Sequence, residues 1–182
     1  MIHMIDQTVI FWVQAHMAGS VLTPLMVLLS TAGGSGMIWA AAGVILLCQR
    51  KYRRAGTAVM IALFLTWVIG DEWLKHLVMR ARPCADYPWV PLAVAMPGVH
   101  DFSFPSGHAF SSFAAAVAMS PALTVFGRTA VLALAVLISF SRIYLFVHYP
   151  TDVLGGAVLG IGSGIAAWYA AGWLLERIRK TA

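Results

Sequence analysis

Apolar runs long enough to cross a lipid bilayer constrain this chain more than any other feature of its sequence. A spanning helix needs about 20 predominantly apolar residues. Four stretches approach or meet that length: 55–73, 109–126, 129–147 and 153–175. The last is rich in Gly and Ala, whose small size lets neighbouring helices approach closely. A shorter run, 35–48, ends at the basic cluster Arg50, Lys51, Arg53 and Arg54. Lipid offers backbone amides no partners, so such runs fold as helices. The N-terminal third is less regular. Residues 5–17 are amphipathic and carry Asp6, Gln7, Gln14 and His16, so segment 1–18 reads as an interfacial helix. Residues 21–32 are apolar but, at about 1.5 Å per residue, too few to cross alone, and Gly33, Gly34 and Gly36 follow them. The expectation is a single all-α domain over 1–182, a polytopic membrane bundle of about six helices, five crossing and a sixth near the N-terminus.

Composition excludes the soluble alternatives. Only 10% of the 182 residues are charged and 60% are hydrophobic, where a soluble domain carries about 25% charged residues. An ordinary cytosolic enzyme, a disordered tail and a nucleic-acid arm are all ruled out, and no nucleic-acid partner is expected despite the net charge of +5. The basic residues sit at the ends of apolar runs. One side of the bundle collects Arg50, Lys51, Arg53, Arg54, Arg128, Arg177, Arg179 and Lys180 against the single acid Glu176, which marks it as cytoplasmic. The other side, with Asp71, Glu72, Lys75, Arg80, Arg82, Asp86, Asp101, Arg142 and Asp152, then faces the periplasm or exterior of the cytoplasmic (inner) membrane. Cys48 and Cys84 fall on opposite sides and cannot pair. The first basic residue is Arg50, so no cleaved leader with a charged n-region is expected.

Three polar groups lie on the outward side. In the third, Ser141 to Asp152, Pro150 suits the first turn of a helix and Asp152 falls in that same turn, where the dipole favours a carboxylate. His148, four residues before Asp152, can donate one ring N–H to it and keep the other nitrogen as a lone pair, as an activated nucleophile or base requires. A capping Asp with an interfacial His fits that group equally well. The second group is Pro105-Ser106-Gly107-His108. Ser106 is a good N-cap, Gly107 lets a ligand approach the backbone, and the free N–H groups of a helix start attract an anion. His108 beside them is a candidate acid for a leaving group. In the first group Lys75 and Arg82, seven positions apart, fall about two helical turns from each other and would share a face. Arg142, inside an apolar span, is expected to face an anion or carboxylate rather than lipid. Arg80 reads as a residue reaching for lipid headgroups. Three cations, an anion-binding helix start and two histidines are the equipment of phosphoryl transfer. Two His and one Asp would suffice for zinc, but three nearby cations would repel it.

At these residues the sequence resembles the type 2 phosphatidic acid phosphatase family. Its pattern is Lys, six residues, Arg-Pro; then Pro-Ser-Gly-His; then Ser-Arg, five residues, His, three residues, Asp. Lys75 to Pro83, Pro105 to His108 and Ser141 to Asp152 meet it without a gap. The resemblance implies the helical core shared by bacterial acid phosphatases and vanadium haloperoxidases, and a lipid phosphate as substrate among the surrounding membrane lipids. It also implies roles. His148 attacks phosphorus and forms a phosphohistidine while Asp152 holds its tautomer. His108 protonates the leaving oxygen, then activates water. Lys75, Arg82, Arg142, Ser106 and the Gly107 amide hold the phosphoryl oxygens, and no metal or other cofactor is implied. Membrane members act on phosphatidic acid, phosphatidylglycerophosphate, undecaprenyl diphosphate or the 1-phosphate of lipid A. Dedicated undecaprenyl diphosphatases often carry Asp where Gly107 stands, so the resemblance leans toward a broader phosphatase similar to phosphatidylglycerophosphatase B. A non-catalytic lipid-phosphate binder or transporter would use the same cations, but has no need of an oriented His148–Asp152 pair. His100 and Asp101 precede the second group and are candidates to line the entry, and Phe104 and Tyr144 read as interfacial anchors.

Overall fold

The computed structural model describes residues 2–98 and 101–181, so His100 and the end of the loop before it lie outside the described residues. The described chain is all-helical. Helix α1 covers Ile2–Met17, α2 Leu22–Gly33, α3 Met37–Cys48 and α4 Arg53–Leu65, and α4 runs through a π-helical segment Thr66–Leu74 into α5, Lys75–Val78. The short α6, Pro83–Asp86, precedes a long loop, after which α7 spans Gly107–Met119, α8 Val125–Tyr144 and α9 Pro150–Thr181. Among the described residues three stretches are long and apolar enough to cross a membrane: Arg50–Asp86, Val125–Tyr144 and Pro150–Thr181. Counting α2 and α3 as one span, bent by 51° at Gly34–Gly36, adds a fourth. The protein is a multi-pass membrane protein. The two N-terminal runs expected as separate helices are therefore the arms of one bent pair, broken where Gly36 adopts φ +69°.

Helix α7 also departs from the expected 109–126. It stops at Met119 because Pro121 follows in a tight turn, Ser120–Ala122, and Thr124 restarts the chain as N-cap of α8 by accepting the Gly127 N–H. At 13 residues α7 is short, and nine of those residues are buried. It is the central post around which α4, α8 and α9 pack.

What allows α9 to lie against α7 is a stripe of glycines one turn apart. A Cβ on Gly156, Gly160 or Gly164 would come within 2.6 Å of the carbonyl oxygens of Ser106, Phe110 and Ala114 respectively. These are backbone atoms of the facing helix, which cannot yield. Gly162, on the same helix, meets nothing within 4 Å. Opposite effects are expected two residues apart. Gly160→Ala should lower thermal stability by an overpacking cost of about 1–3 kcal/mol, whereas Gly162→Ala should hold or raise it by up to about 1 kcal/mol from helix propensity. Melting curves of the two variants in the same detergent check this.

Candidate active site

The site is built from helix ends. Lys75 opens α5, Arg82 precedes α6, Gly107 and His108 open α7, Arg142 lies in the last turn of α8, and His148 sits in the turn between α8 and α9. They line one cavity of about 440 Å³ together with Asp71, Asp101, Ser111 and an apolar wall of Gly36, Leu63 and Trp67. Ser106 and Asp152 do not line it. Both are fully buried behind it: Ser106 caps α7 by accepting the Ala109 N–H at 3.5 Å, and Asp152 lies in the first turn of α9.

The route that brings Lys75 and Arg82 together differs from the expected shared helix face. The π-helical turn, which bonds each amide five residues back, links the Lys75 N–H to the Gly70 carbonyl. The helix then ends at Val78, with Met79 in the left-handed region at φ 46°. Arg82 is extended, as a residue before proline must be. The chain thus doubles back, and the two cations meet at one carboxylate. Lys75 Nζ lies 2.9 Å and Arg82 Nη2 2.8 Å from Asp101 Oδ1, and Lys75 also pairs with Asp71 at 2.8 Å. Burial would raise the Asp101 pKa, but Arg82 and Lys75 outweigh it and hold the carboxyl below the usual carboxylate range.

Arg82 fixes the state of His148. Its Nη1 donates to the Val147 carbonyl at 2.9 Å and lies 2.8 Å from His148 Nε2. A guanidinium has only donors, so Nε2 must accept: it carries the lone pair, and the proton is on Nδ1. On that side Asp152 Oδ2 is 3.8 Å away, too far for a direct hydrogen bond. The expected direct His148–Asp152 bond is replaced by a bridge. Ser103 Oγ donates to Asp152 Oδ2 at 2.5 Å and stands 3.5 Å from His148 Nδ1. Asp152 Oδ2 also accepts the Tyr149 N–H at 2.9 Å.

His108 is fixed by the bent α2–α3 pair. Its Nε2 lies 3.1 Å from the Ser30 carbonyl, which can only accept, so Nε2 is protonated and Nδ1 is the nitrogen left to exchange a proton. The Ser30 hydroxyl accepts from Arg142, whose Nε–H is buried with no hydrogen-bond partner among the described residues. A buried donor of this kind calls for an acceptor, and Arg142 lines the cavity where an anion would supply one.

Ser103, Ser30, Arg80 and Asp6 are polar residues whose place here the motif spacing did not reveal. Arg80 does not reach for headgroups. It pairs with Asp152 and Asp6. Asp6 had one visible signal, being the only carboxylate before Asp71. Tyr144, read as a lipid anchor, is buried and bonds the Met17 carbonyl, and Phe104 packs on Gly155.

Burial, reinforced by Arg82 and Arg142, pushes the His148 pKa well below its usual value, so the imidazole is neutral, with its one lone pair turned to Arg82. Below the ordinary His pKa of about 6.5 the unfolded chain takes up a proton that the folded one refuses, so stability is lost as the pH is lowered. We expect the unfolding free energy to drop between about pH 6.5 and 5, and His148→Gln to flatten that slope by up to about 1.4 kcal/mol per pH unit. Melting curves across that range measure it.

Residues 51–176 match the PAP2 superfamily. The chain is 33% identical to an undecaprenyl-diphosphatase of Sulfolobus acidocaldarius over 76% of its own length and 66% of that protein's. It is 38% identical to a decaprenylphosphoryl-5-phosphoribose phosphatase of Mycolicibacterium smegmatis, covering 83% of this chain and 81% of the relative. Less than two thirds of the length of the Sulfolobus protein is thus spanned. The fold matches the crystal structure of a transmembrane PAP2-type phosphatidylglycerolphosphate phosphatase from Bacillus subtilis with a TM-score of 0.75 at 22% identity, over 97% of this chain and 87% of that one. The helical core, the cavity where three separated motifs meet, and the match over residues 51–176 lead to one assignment: the chain belongs to the PAP2 superfamily.

Proposed function

We propose that the protein is a membrane lipid phosphatase that cleaves a lipid phosphate monoester or diphosphate through a phosphohistidine at His148. The observation that carries this reading is the Nε2 lone pair of a neutral, fully buried imidazole, held 2.8 Å from Arg82 in a cavity also lined by Lys75, Arg142 and His108. Arg82 Nη1 turns from Nε2 to a phosphoryl oxygen, and the freed lone pair attacks phosphorus. The bond from phosphorus to the lipid oxygen breaks as His108, whose Nδ1 has taken the proton of the incoming phosphate monoanion, passes that proton to the leaving oxygen. His108 then takes a proton from water, whose oxygen attacks phosphorus and releases inorganic phosphate with the His148 lone pair restored. Lys75, Arg82, Arg142 and the N–H groups at the start of α7 neutralise the charge that grows on the phosphoryl oxygens. These cations do the work a metal performs in other phosphatases, so the reaction needs none.

The substrate follows from the setting. Relatives named an undecaprenyl-diphosphatase and a decaprenylphosphoryl-5-phosphoribose phosphatase act, by those names, on phosphoryl groups of polyprenyl lipids, and a lipid-borne phosphoryl group is what they share. The basic residues at the opposite end of the bundle, Arg50 to Arg54 and Arg177 to Lys180, support a site facing the periplasm or exterior of the cytoplasmic membrane. The test is phosphate release from undecaprenyl diphosphate, phosphatidylglycerophosphate, phosphatidic acid and lipid A by the purified protein with EDTA present. Acid-labile label should be trapped on histidine from a radiolabelled substrate. A protein that binds these lipids without turnover or labelling would be a binder or transporter, and the reading would fail.

A further inference from the structure

Behind the cavity, one guanidinium holds two buried carboxylates. Arg80 Nη1 lies 2.5 Å from Asp152 Oδ1 and Nη2 2.6 Å from Asp6 Oδ2. Both carboxylates are fully buried. Asp6 also reaches the start of α9: its Oδ1 accepts the Thr151 N–H at 3.0 Å and its Oδ2 the Thr151 hydroxyl at 2.6 Å. Thr151 Oγ1 in turn accepts from Arg80 Nη1 at 2.7 Å, and the guanidinium lies over the Tyr149 ring, 4.2 Å from its centroid. The rest of α1 continues the clamp. Ile10 packs with Phe146 and Tyr149, Val13 with Leu145 and Val147, and Gln14 donates to the Tyr144 carbonyl at 2.6 Å. One face of α1 therefore lies along the whole turn that carries His148.

Asp6 is out of place on an amphipathic helix unless that position has a use. A carboxylate belongs on the wet face, and burying it demands full pairing. Its partners are the groups that set Asp152. A guanidinium is a rigid planar fork, so fixing one prong on Asp6 sets where the other meets Asp152, and Asp6 also anchors the backbone one residue before Asp152. We propose that Asp6 is a positioning residue for phosphoryl transfer that acts through Arg80 on Asp152, which makes helix α1, outside the matched residues 51–176, part of the catalytic apparatus. With both carboxylates sharing one cation, Asp152 keeps negative charge to support the positive charge that develops on the His148 ring as Nε2 bonds to phosphorus. Without Asp6, Arg80 is free to settle wholly on Asp152 and cancel that charge. Lys75, Arg82 and Arg142 are untouched, so substrate still binds.

The inference rests on the proposed phosphatase reaction, and the experiment separates the two. Wild type, Asp6→Asn, Arg80→Lys and the double variant are assayed for phosphate release from phosphatidylglycerophosphate and the other lipid phosphates in detergent, with inorganic sulfate as a competitive probe of the anion site. Asp6→Asn and Arg80→Lys should each lower kcat about 10- to 100-fold while KM and the sulfate inhibition constant stay within about 2-fold. The double variant should be no worse than Arg80→Lys within about 3-fold, because both changes act through one link. A wild type inactive on every lipid phosphate would defeat the phosphatase reading itself. An active wild type with unchanged kcat in Asp6→Asn, a rise in KM alone, or losses that multiply in the double variant would overturn the inference and leave that reading standing. Should Asp6→Asn fail to fold, Arg80→Lys decides alone, since wild-type kcat there removes the link.

Discussion

Replacing His148 by Ala is expected to reduce phosphate release by on the order of 10⁴-fold or more, the loss that follows removal of a nucleophile whose partners act as a unit. The variant should nonetheless bind inorganic phosphate, because the cavity keeps Lys75, Arg82 and Arg142. That combination, turnover gone and anion binding retained, is the signature of a nucleophile as opposed to a binding residue. His108→Ala gives a different pattern. In the proposed mechanism His108 supplies a proton to the leaving oxygen, so its loss should slow lipid alcohols severely and a good leaving group such as a nitrophenol much less. If His148→Ala kept full activity, covalent transfer through this ring would be excluded, whatever the cavity binds.

The part of this site legible in the sequence is the part written in local rules. Pro150 and Asp152 announced the start of α9, and Ser106 sits as the N-cap its position called for. The all-helical membrane bundle followed from the apolar runs, because lipid leaves the backbone no other solution. What the sequence could not supply was tertiary. Lys75 and Arg82 converge through a π-helical segment and a left-handed Met79, neither of which has a residue signature: a β-branched Thr66, a Gly70 and a Met would each fit an ordinary helix. Arg80 looked like any cation near an interface, since its partner Asp6 lies 74 positions away. The same holds for Ser103 and Asp152, 49 positions apart. Helix boundaries failed for a related reason: at 119–125 a proline and a capping threonine cut through one apolar run, and hydropathy alone does not register either.

Ser103 carries the second large effect. Between His148 Nδ1 and Asp152 Oδ2 there are 3.8 Å, and the Ser103 hydroxyl stands beside both, 2.5 Å from the carboxylate and 3.5 Å from the ring nitrogen. The Nδ1 proton then looks to Oγ, and the Oγ proton to Asp152. Asp152→Asn removes the charge and offers an N–H where only acceptors should be, which permits the wrong His148 tautomer. A loss of about 10³- to 10⁴-fold in kcat is expected, as for other orienting carboxylates. Ser103→Ala keeps the charge but empties the bridge and deprives a buried carboxylate of a partner, at about 1–3 kcal/mol. Felt in the transition state, at about 1.4 kcal/mol per factor of ten, that is a roughly 5- to 150-fold lower kcat, with KM unchanged because Ser103 does not line the cavity. In an Asp152→Asn background the Ser103→Ala change should cost little more, since the bridge then leads nowhere. Wild-type kcat in Ser103→Ala beside a dead Asp152→Asn would mean that the carboxylate steers the imidazole through space, or closes the 3.8 Å gap when substrate binds, and that the hydroxyl serves only to satisfy the buried acid.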